Sequence, residues 1–304
     1  MRKENNMVQE LKKQLEAETI TVLEQEPLCQ HTTFKIGGNA SLFVEITSPE
    51  QLCKAIALIH QSKMPYYFLV KGSNVLFADE GFLGVVVHLG KDLCHIRIKG
   101  NQVYAQAGAS LQQVCVEAQK AGLSGMEFAY GIPGSVGGGL YMNAGAYGGD
   151  MSCIVSGASC VDMEGNIHHL TLPELELGYR TSCFEKNKWA ILEVEFTLHQ
   201  GDKDTILSQM QDYMSRRREK QPLDKPSAGS AFKRPRGAYA SALIDQCGLK
   251  GYQVGGAAIS EKHAGFIVNL GGATCKDVLA VADDVSAIVK EKTGFVLEKE
   301  IRVV

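Results

Sequence analysis

Strong net charge, paired cysteines and long apolar runs are all missing from this chain. Its 304 residues carry a formal charge of -3, too small for an overall field that would hold a polyanion. No nucleic-acid partner is therefore expected. No stretch approaches the apolar length of a membrane span, and the opening MRKENNMVQELKKQLEAE has no apolar signal core, so a cytoplasmic protein without a membrane partner is expected. The nine cysteines, at 29, 53, 94, 115, 153, 160, 183, 247 and 275, form no CxxC. In a chain long enough to bury large cores they read as reduced thiols rather than staples. The eight histidines are scattered; His168 and His169 point apart on an expected strand, and no metal site is expected.

Glycine, by contrast, is concentrated. Eight glycines fall within the nineteen residues 131–149, among aromatic side chains, Pro133 and Asn143. Such density is costly in chain entropy and removes the side chains that keep a bulky partner from the backbone. The run is apolar and lacks the Ser, Glu and Lys of a disordered linker, so it reads as a folded wall against which a ligand lies. GSVGGG at 134–139 has neither the strand before it nor the helix after it that a dinucleotide fingerprint requires.

Apolar spacing organises the rest. A helix is expected over 7–18, and Pro49 opens another with Leu52, Ile56 and Ile59 on one face. YYFLVKGSNVLF is a strand broken by Gly72-Ser73-Asn74, which reads either as a hairpin turn or as a nest of N–H groups for an anion. Strands are expected in 82–107, then a helix capped by Ser110 and ended by Gly122, then a hairpin around Glu164-Gly165-Asn166. Arg180, taken alone, reads as a surface residue. A helix over 204–219 ends in Arg216-Arg217-Arg218 and Lys220, where cations suit the helix terminus or a phosphate. In QPLDKPSAGSAFKRPRG, a hydroxyl bracketed by small residues and followed by Lys233 and Arg234 can face an anionic substrate. A capping box at Thr274 and Asp277 starts a helix that closes near Gly294, and FVLEKEIRVV reads as a terminal strand or strand pair.

Six blocks, HTTFKIGG at 31–38, KGSNVLFAD at 71–79, GIPGSVGGGLYMNAGAYG at 131–148, GYRTS at 178–182, KQPLDKPSAGSAFKRP at 220–235 and KHAGFIVN at 262–269, precede a closing LEKEIRVV. In order and spacing they resemble the UDP-N-acetylenolpyruvoylglucosamine reductase family, from about residue 20 to the C-terminus. The resemblance implies an α+β protein: an FAD-binding fold of the vanillyl-alcohol-oxidase kind in two subdomains, 1–80 and 81–203, and an α/β substrate-binding domain, 204–298. Strand 299–304 is expected to return to the first subdomain. Compact spacing after Tyr179 is similar to the short form of the family, without its inserted tyrosine loop.

It further implies non-covalent FAD, NADPH as electron donor, the enolpyruvyl ether of UDP-N-acetylglucosamine as substrate, and a monomer. Arg180 matches the family's catalytic arginine, Ser230 its proton donor and Glu300 its catalytic glutamate, for which a raised pKa is expected. Cofactor contacts are expected from Lys71, Gly72, Ser73, Asn74, Gly131, Ile132, Pro133, Gly134, Ser135, Gly137, Gly138, Asn143, Ala144 and Gly145. Lys71 stands where many relatives carry a small residue, so its role is open. Lys220, Lys233 and Arg234 are expected near the substrate's phosphates or carboxylate. The competing readings are another FAD-dependent oxidoreductase of the same fold, such as an alcohol or sugar oxidase with covalent flavin, and a non-enzymatic sugar-nucleotide-binding protein.

Overall fold

Local sequence rules account for most elements of the computed structural model, which describes residues 2–304. Helix Pro49–Ser62 starts where the Ser48 hydroxyl accepts from the Gln51 amide and Pro49 needs no partner for a missing N–H. It buries Leu52, Ala55, Ile56 and Ile59, the i, i+3, i+4, i+7 stripe. Ser110 caps helix Leu111–Lys120 in the same way, and Thr274 with Asp277 closes a capping box on helix Cys275–Thr293, which stops at Gly294 with φ 77°.

The chain divides into two compact units. One comprises Met1–Gln25, Ser41–Val70 and Leu83–Ser215; the other comprises Glu26–Ala40, Lys71–Phe82 and Arg216–Val304. The resemblance implies cuts after 80 and 203, whereas the contacts group 26–40 and 71–82 with the C-terminal third. The reason is pairing between segments distant in sequence: strand Arg302–Val303 runs parallel to Val75–Leu76, and Leu28 donates its amide to Gly38 while Gly38 donates to Ala78.

In the first unit, strands Ile167–Thr171, Val155–Val161, Ala190–Thr197, Gln102–Gln106 and Ile96–Lys99 form, in that order, an antiparallel sheet. A four-stranded sheet follows the order Thr21–Pro27, Asn39–Ile46, Phe82–Leu89, Tyr66–Leu69, its last two strands parallel. Leu42, Val44, Val85, Val87, Val103, Ala158, Val194 and Phe196 join one core with Leu11 and Leu15 of helix Arg2–Ala17. In the second unit a three-stranded antiparallel sheet, Gln253–Val254, Ala257–Ile259 and Ile267–Asn269, packs with helix Cys275–Thr293. Its core joins Phe34, Ile36 and Leu76 to Ile244, Val278, Val281 and Val285.

Two expectations need correction. Residues Val136–Tyr141 form a short helix, capped by the Ser135 hydroxyl accepting from Gly138; a good cap and burial of Val136 and Leu140 outweigh three weak helix formers. The terminal strand is confined to Arg302–Val303, because residues 298–300 pair only through isolated contacts with 231–233.

Candidate active site

In the first unit the glycine-rich stretch owes much of its composition to internal packing. A Cβ on Gly137 would lie 2.8 Å from that of Ala107, one on Gly149 2.7 Å from the Phe128 ring, and one on Gly145 2.7 Å from Gly149 and Asp150. Gly138 differs: it is exposed, and a Cβ there would meet only the Ser135 hydroxyl, at 3.2 Å. Backbone donors from Val136 to Ala144 are already engaged. The amides of Val136 and Gly137 go to Ala109 and Ala107, Gly139 to Ser135, Asn143 to Leu140 and Ala144 to Gly139. This part of the wall therefore offers bare backbone surface rather than a nest of N–H groups. Gly131 and Gly134 are buried, Pro133 is exposed, and Ile132 is half-buried beside the core.

Asn143 is buried and turned inward. Its side-chain amide donates to the Gly178 carbonyl at 3.0 Å, and its oxygen accepts from the Ser152 amide at 3.0 Å. Gly178 and Thr181 exchange backbone bonds of 3.1 and 3.4 Å across a tight turn. Arg180 occupies the third position of that turn with φ 59°, a left-handed conformation that costs a non-glycine residue about 1–2 kcal/mol. Its guanidinium lies 5.3 Å from the centre of the Tyr179 ring.

In the second unit, residues 71–74 supply what the wall does not. Among the described residues no acceptor takes the amides of Gly72, Ser73 or Asn74, nor the Ser73 hydroxyl. Gly72 has φ 56°, and a Cβ would sit 2.3 Å from the His31 carbonyl; only glycine fits that turn. The Thr33 amide donates to the Gly72 carbonyl at 3.1 Å, and the Thr33 hydroxyl donates to the Ser227 carbonyl at 2.7 Å. Lys71 is exposed by surface area, yet the protein around its ammonium lowers its pKa from the ordinary lysine value by desolvation.

Ser230 is half-buried in an extended segment held on both sides. It bridges Phe266, and the neighbouring Ala231 amide donates to Gly265 at 2.8 Å; on the other side the Glu300 amide donates to the Ala231 carbonyl at 2.8 Å. Asn74 completes this framework by donating its side-chain amide to the Glu300 carbonyl. Lys233 reaches Glu298 at 3.3 Å, both side chains substantially exposed, an ion pair of small energetic weight. Arg234 stacks 3.9 Å over the Tyr239 ring, which pre-orients its donor fork. Lys220 is exposed in the last turn of helix Lys203–Lys220.

The second unit thus brings together Asn74, Ser230 and Glu300, and ties Gly72 to the loop that carries Ser230. The first unit joins Asn143 to the Arg180 turn. Sequence reasoning missed Thr33, whose hydroxyl links two of the motif blocks, and Asp79, which accepts from the Cys275 and Lys276 amides at the start of helix Cys275–Thr293. Both lie inside quoted blocks, but a side chain's long-range partner leaves no local signal. No group of three or more His, Cys, Asp or Glu suited to a metal occurs among the described residues, and no helix there is long and apolar enough to cross a membrane.

Comparison with known proteins gives two family matches: "FAD binding domain" over residues 40–171 and "UDP-N-acetylenolpyruvoylglucosamine reductase, C-terminal domain" over 221–304. UDP-N-acetylenolpyruvoylglucosamine reductase of Clostridium botulinum (strain Hall) is 47% identical over 283 residues, 93% of this chain and 92% of the relative. The crystal structure of the corresponding reductase from Thermus caldophilus superimposes with a TM-score of 0.80 at 36% identity, covering 93% of this chain and 98% of that one. p-Cresol methylhydroxylase, at 12% identity and a TM-score of 0.56 over 96% of this chain and 88% of that one, shares the fold alone.

Proposed function

The chain belongs to the UDP-N-acetylenolpyruvoylglucosamine reductase family, flavoprotein oxidoreductases of peptidoglycan synthesis, and on that premise we propose that it reduces the enolpyruvyl ether of UDP-N-acetylglucosamine to UDP-N-acetylmuramate with NADPH as electron donor. The observation that carries the reading is the 71–74 loop. It holds three consecutive unengaged amides and a free serine hydroxyl on a glycine turn that admits no side chain, which suits the diphosphate of FAD. Gly138, exposed and without a side chain, suits a flat ring that must approach the backbone. The wall residues 131–135, 137 and 143–145 join it in this reading, and Lys71 is a neighbour of the diphosphate. Domain roles follow: 1–80 and 81–203 serve the cofactor and 204–298 the substrate.

Held by the 71–74 loop and the wall around Gly138, FAD would supply hydride chemistry between NADPH and the methylene carbon of the substrate. Negative charge then develops on the neighbouring carbon and its carboxylate. Arg180 holds that carboxylate through a fixed donor fork, and Glu300, in its protonated form, polarises it further. Ser230 gives its hydroxyl proton to the α-carbon from one face and recovers a proton from solvent, which sets the configuration of the lactyl product. Lys220, Lys233 and Arg234 bind the substrate's phosphates or its carboxylate. The enzyme acts as the short form of the family, as a monomer in the cytoplasm.

The test is an absorbance scan of the purified chain, followed by NADPH oxidation with and without the enolpyruvyl substrate. A flavin spectrum and NADPH consumption that depends on the enolpyruvyl ether are expected. A colourless protein, or a flavin released only by proteolysis, sinks the reading.

A further inference from the structure

We propose that Asn143 is a positioning residue for Arg180, setting the backbone turn that aims the guanidinium. This rests on the reading of Arg180 as the group that holds the substrate's carboxylate. Arg180 sits at φ 59° in the third position of the 178–181 turn, a position where Gly or Asn is usual. A left-handed arginine persists only where its surroundings over-determine it. Two side-chain bonds supply that constraint, and both reach 141–143, where the short helix of the glycine-rich stretch ends. Asn143 donates to the Gly178 carbonyl at 3.0 Å, the same oxygen that accepts from Thr181 to close the turn. Ser182, immediately after the turn, donates its hydroxyl to the Tyr141 carbonyl at 2.8 Å. The following Thr181–Glu185 bond, 2.9 Å, fixes the turn's exit to helix Cys183–Asn187.

The residue type at 143 fits this double task. Asn143 follows helix Val136–Tyr141 in the left-handed region, φ 40°, which asparagine tolerates better than other side chains. Glycine would end the helix equally well but has nothing to reach Gly178. Aspartate would keep the acceptor for Ser152 but put an anion against the Gly178 carbonyl. With its carboxamide engaged at both ends and only 5% of the residue exposed, the Asn143 side chain acts through the turn.

The experiment uses the full flavin-loaded chain and the variants Asn143→Gly, Asn143→Asp and Arg180→Ala, alone and combined, with stopped-flow flavin absorbance. Asn143→Gly should slow reoxidation by the enolpyruvyl substrate about 10- to 100-fold, the scale of a misplaced catalytic group. On the Arg180→Ala background the same substitution should slow reoxidation no further. Equal losses on both backgrounds overturn the proposal. Arg180→Ala alone tests the underlying reading: reoxidation at the wild-type rate in that variant sinks the role of Arg180 itself, whatever the cycle shows. A crystal structure of Asn143→Gly gives a readout apart from activity, since Arg180 should leave positive φ; an unchanged turn overturns the proposal. If the glycine variant does not fold, Asn143→Asp, which retains the Ser152 bond, carries the same comparisons.

Discussion

The Asn74 side-chain amide donates to the Glu300 carbonyl across 3.4 Å, while the Asn74 carbonyl accepts from the Arg302 amide at 3.0 Å. The loop with unengaged amides and the segment that carries Glu300 are therefore one framework, closed by the parallel pairing of Val75–Leu76 with Arg302–Val303. Anything that shifts one moves the other.

Asn74→Ala removes the side-chain half of that link and leaves the strand pairing. A net hydrogen bond contributes about 1 kcal/mol, and a long one contributes less, so FAD should bind several-fold more weakly. Titration of flavin fluorescence with the apo chain measures this. A large loss of substrate reduction at saturating FAD would show that the bond also sets the Glu300 side chain.

Ser230→Ala should leave flavin reduction by NADPH intact and slow reoxidation by the enolpyruvyl substrate about 10²- to 10⁴-fold, the usual weight of a positioned proton donor. The segment's bonds run through the backbone of Ala231 and Glu300, so loss of one hydroxyl does not displace it. Stopped-flow absorbance separates the half-reactions, and near-normal reoxidation would remove Ser230 from the proton-donor role.

Glu300→Gln should lose substrate reduction while the protein stays yellow. Its amide and carbonyl, not its carboxyl, carry the bonds to Ala231 and Asn74, and glutamine keeps the length and polarity of the side chain. A variant that purifies colourless would assign Glu300 to cofactor retention.

Helices were legible in the sequence because their caps and stripes are local: Pro49 as a first helical residue, the Ser110 cap and the Thr274–Asp277 box all act as read. Strand Thr21–Pro27 was not, since TVLEQEP is a largely exposed edge without apolar alternation. The helix at Val136–Tyr141 hides behind three glycines, whose weak propensity is overridden by the Ser135 cap. Of the candidate site, the residue types were readable and their partners were not. The grouping of 71–74 with 298–304 depends on strand pairing between the two ends of the chain, which no local pattern encodes.

Asp162 makes a pH-dependent contribution to stability. Burial raises its pKa, but hydrogen bonds from His168, from Asn166 and from the Glu164 amide outweigh this and hold it at about 2, against 3.8 for a free side chain. A depressed folded pKa gives stability that is fully present above the unfolded value and is lost as pH falls through the folded one. Asp162→Ala should therefore lower the denaturant midpoint at pH 5–7 relative to wild type, with the gap shrinking as pH drops from about 4 to about 2. A gap independent of pH would mean that hairpin packing, not the carboxylate, is at stake.

Adjacent glycines in the wall should respond to very different degrees. Gly137→Ala places a Cβ 2.8 Å from that of Ala107, an overpacking that costs about 1–3 kcal/mol, and should lower the melting temperature of the apo chain. Gly138→Ala meets only the Ser135 hydroxyl, at 3.2 Å on an exposed helical face, and should leave the apo chain within about 1 kcal/mol of wild type, the loss of glycine's extra freedom offsetting pressure on the Ser135 cap. If the exposed face of Gly138 receives the flavin, this second variant stays close to wild type in stability yet binds FAD more weakly. Thermal melts of the apo forms beside FAD titrations decide it, and a Gly138→Ala chain that binds FAD as tightly as wild type would move the ring elsewhere on the wall.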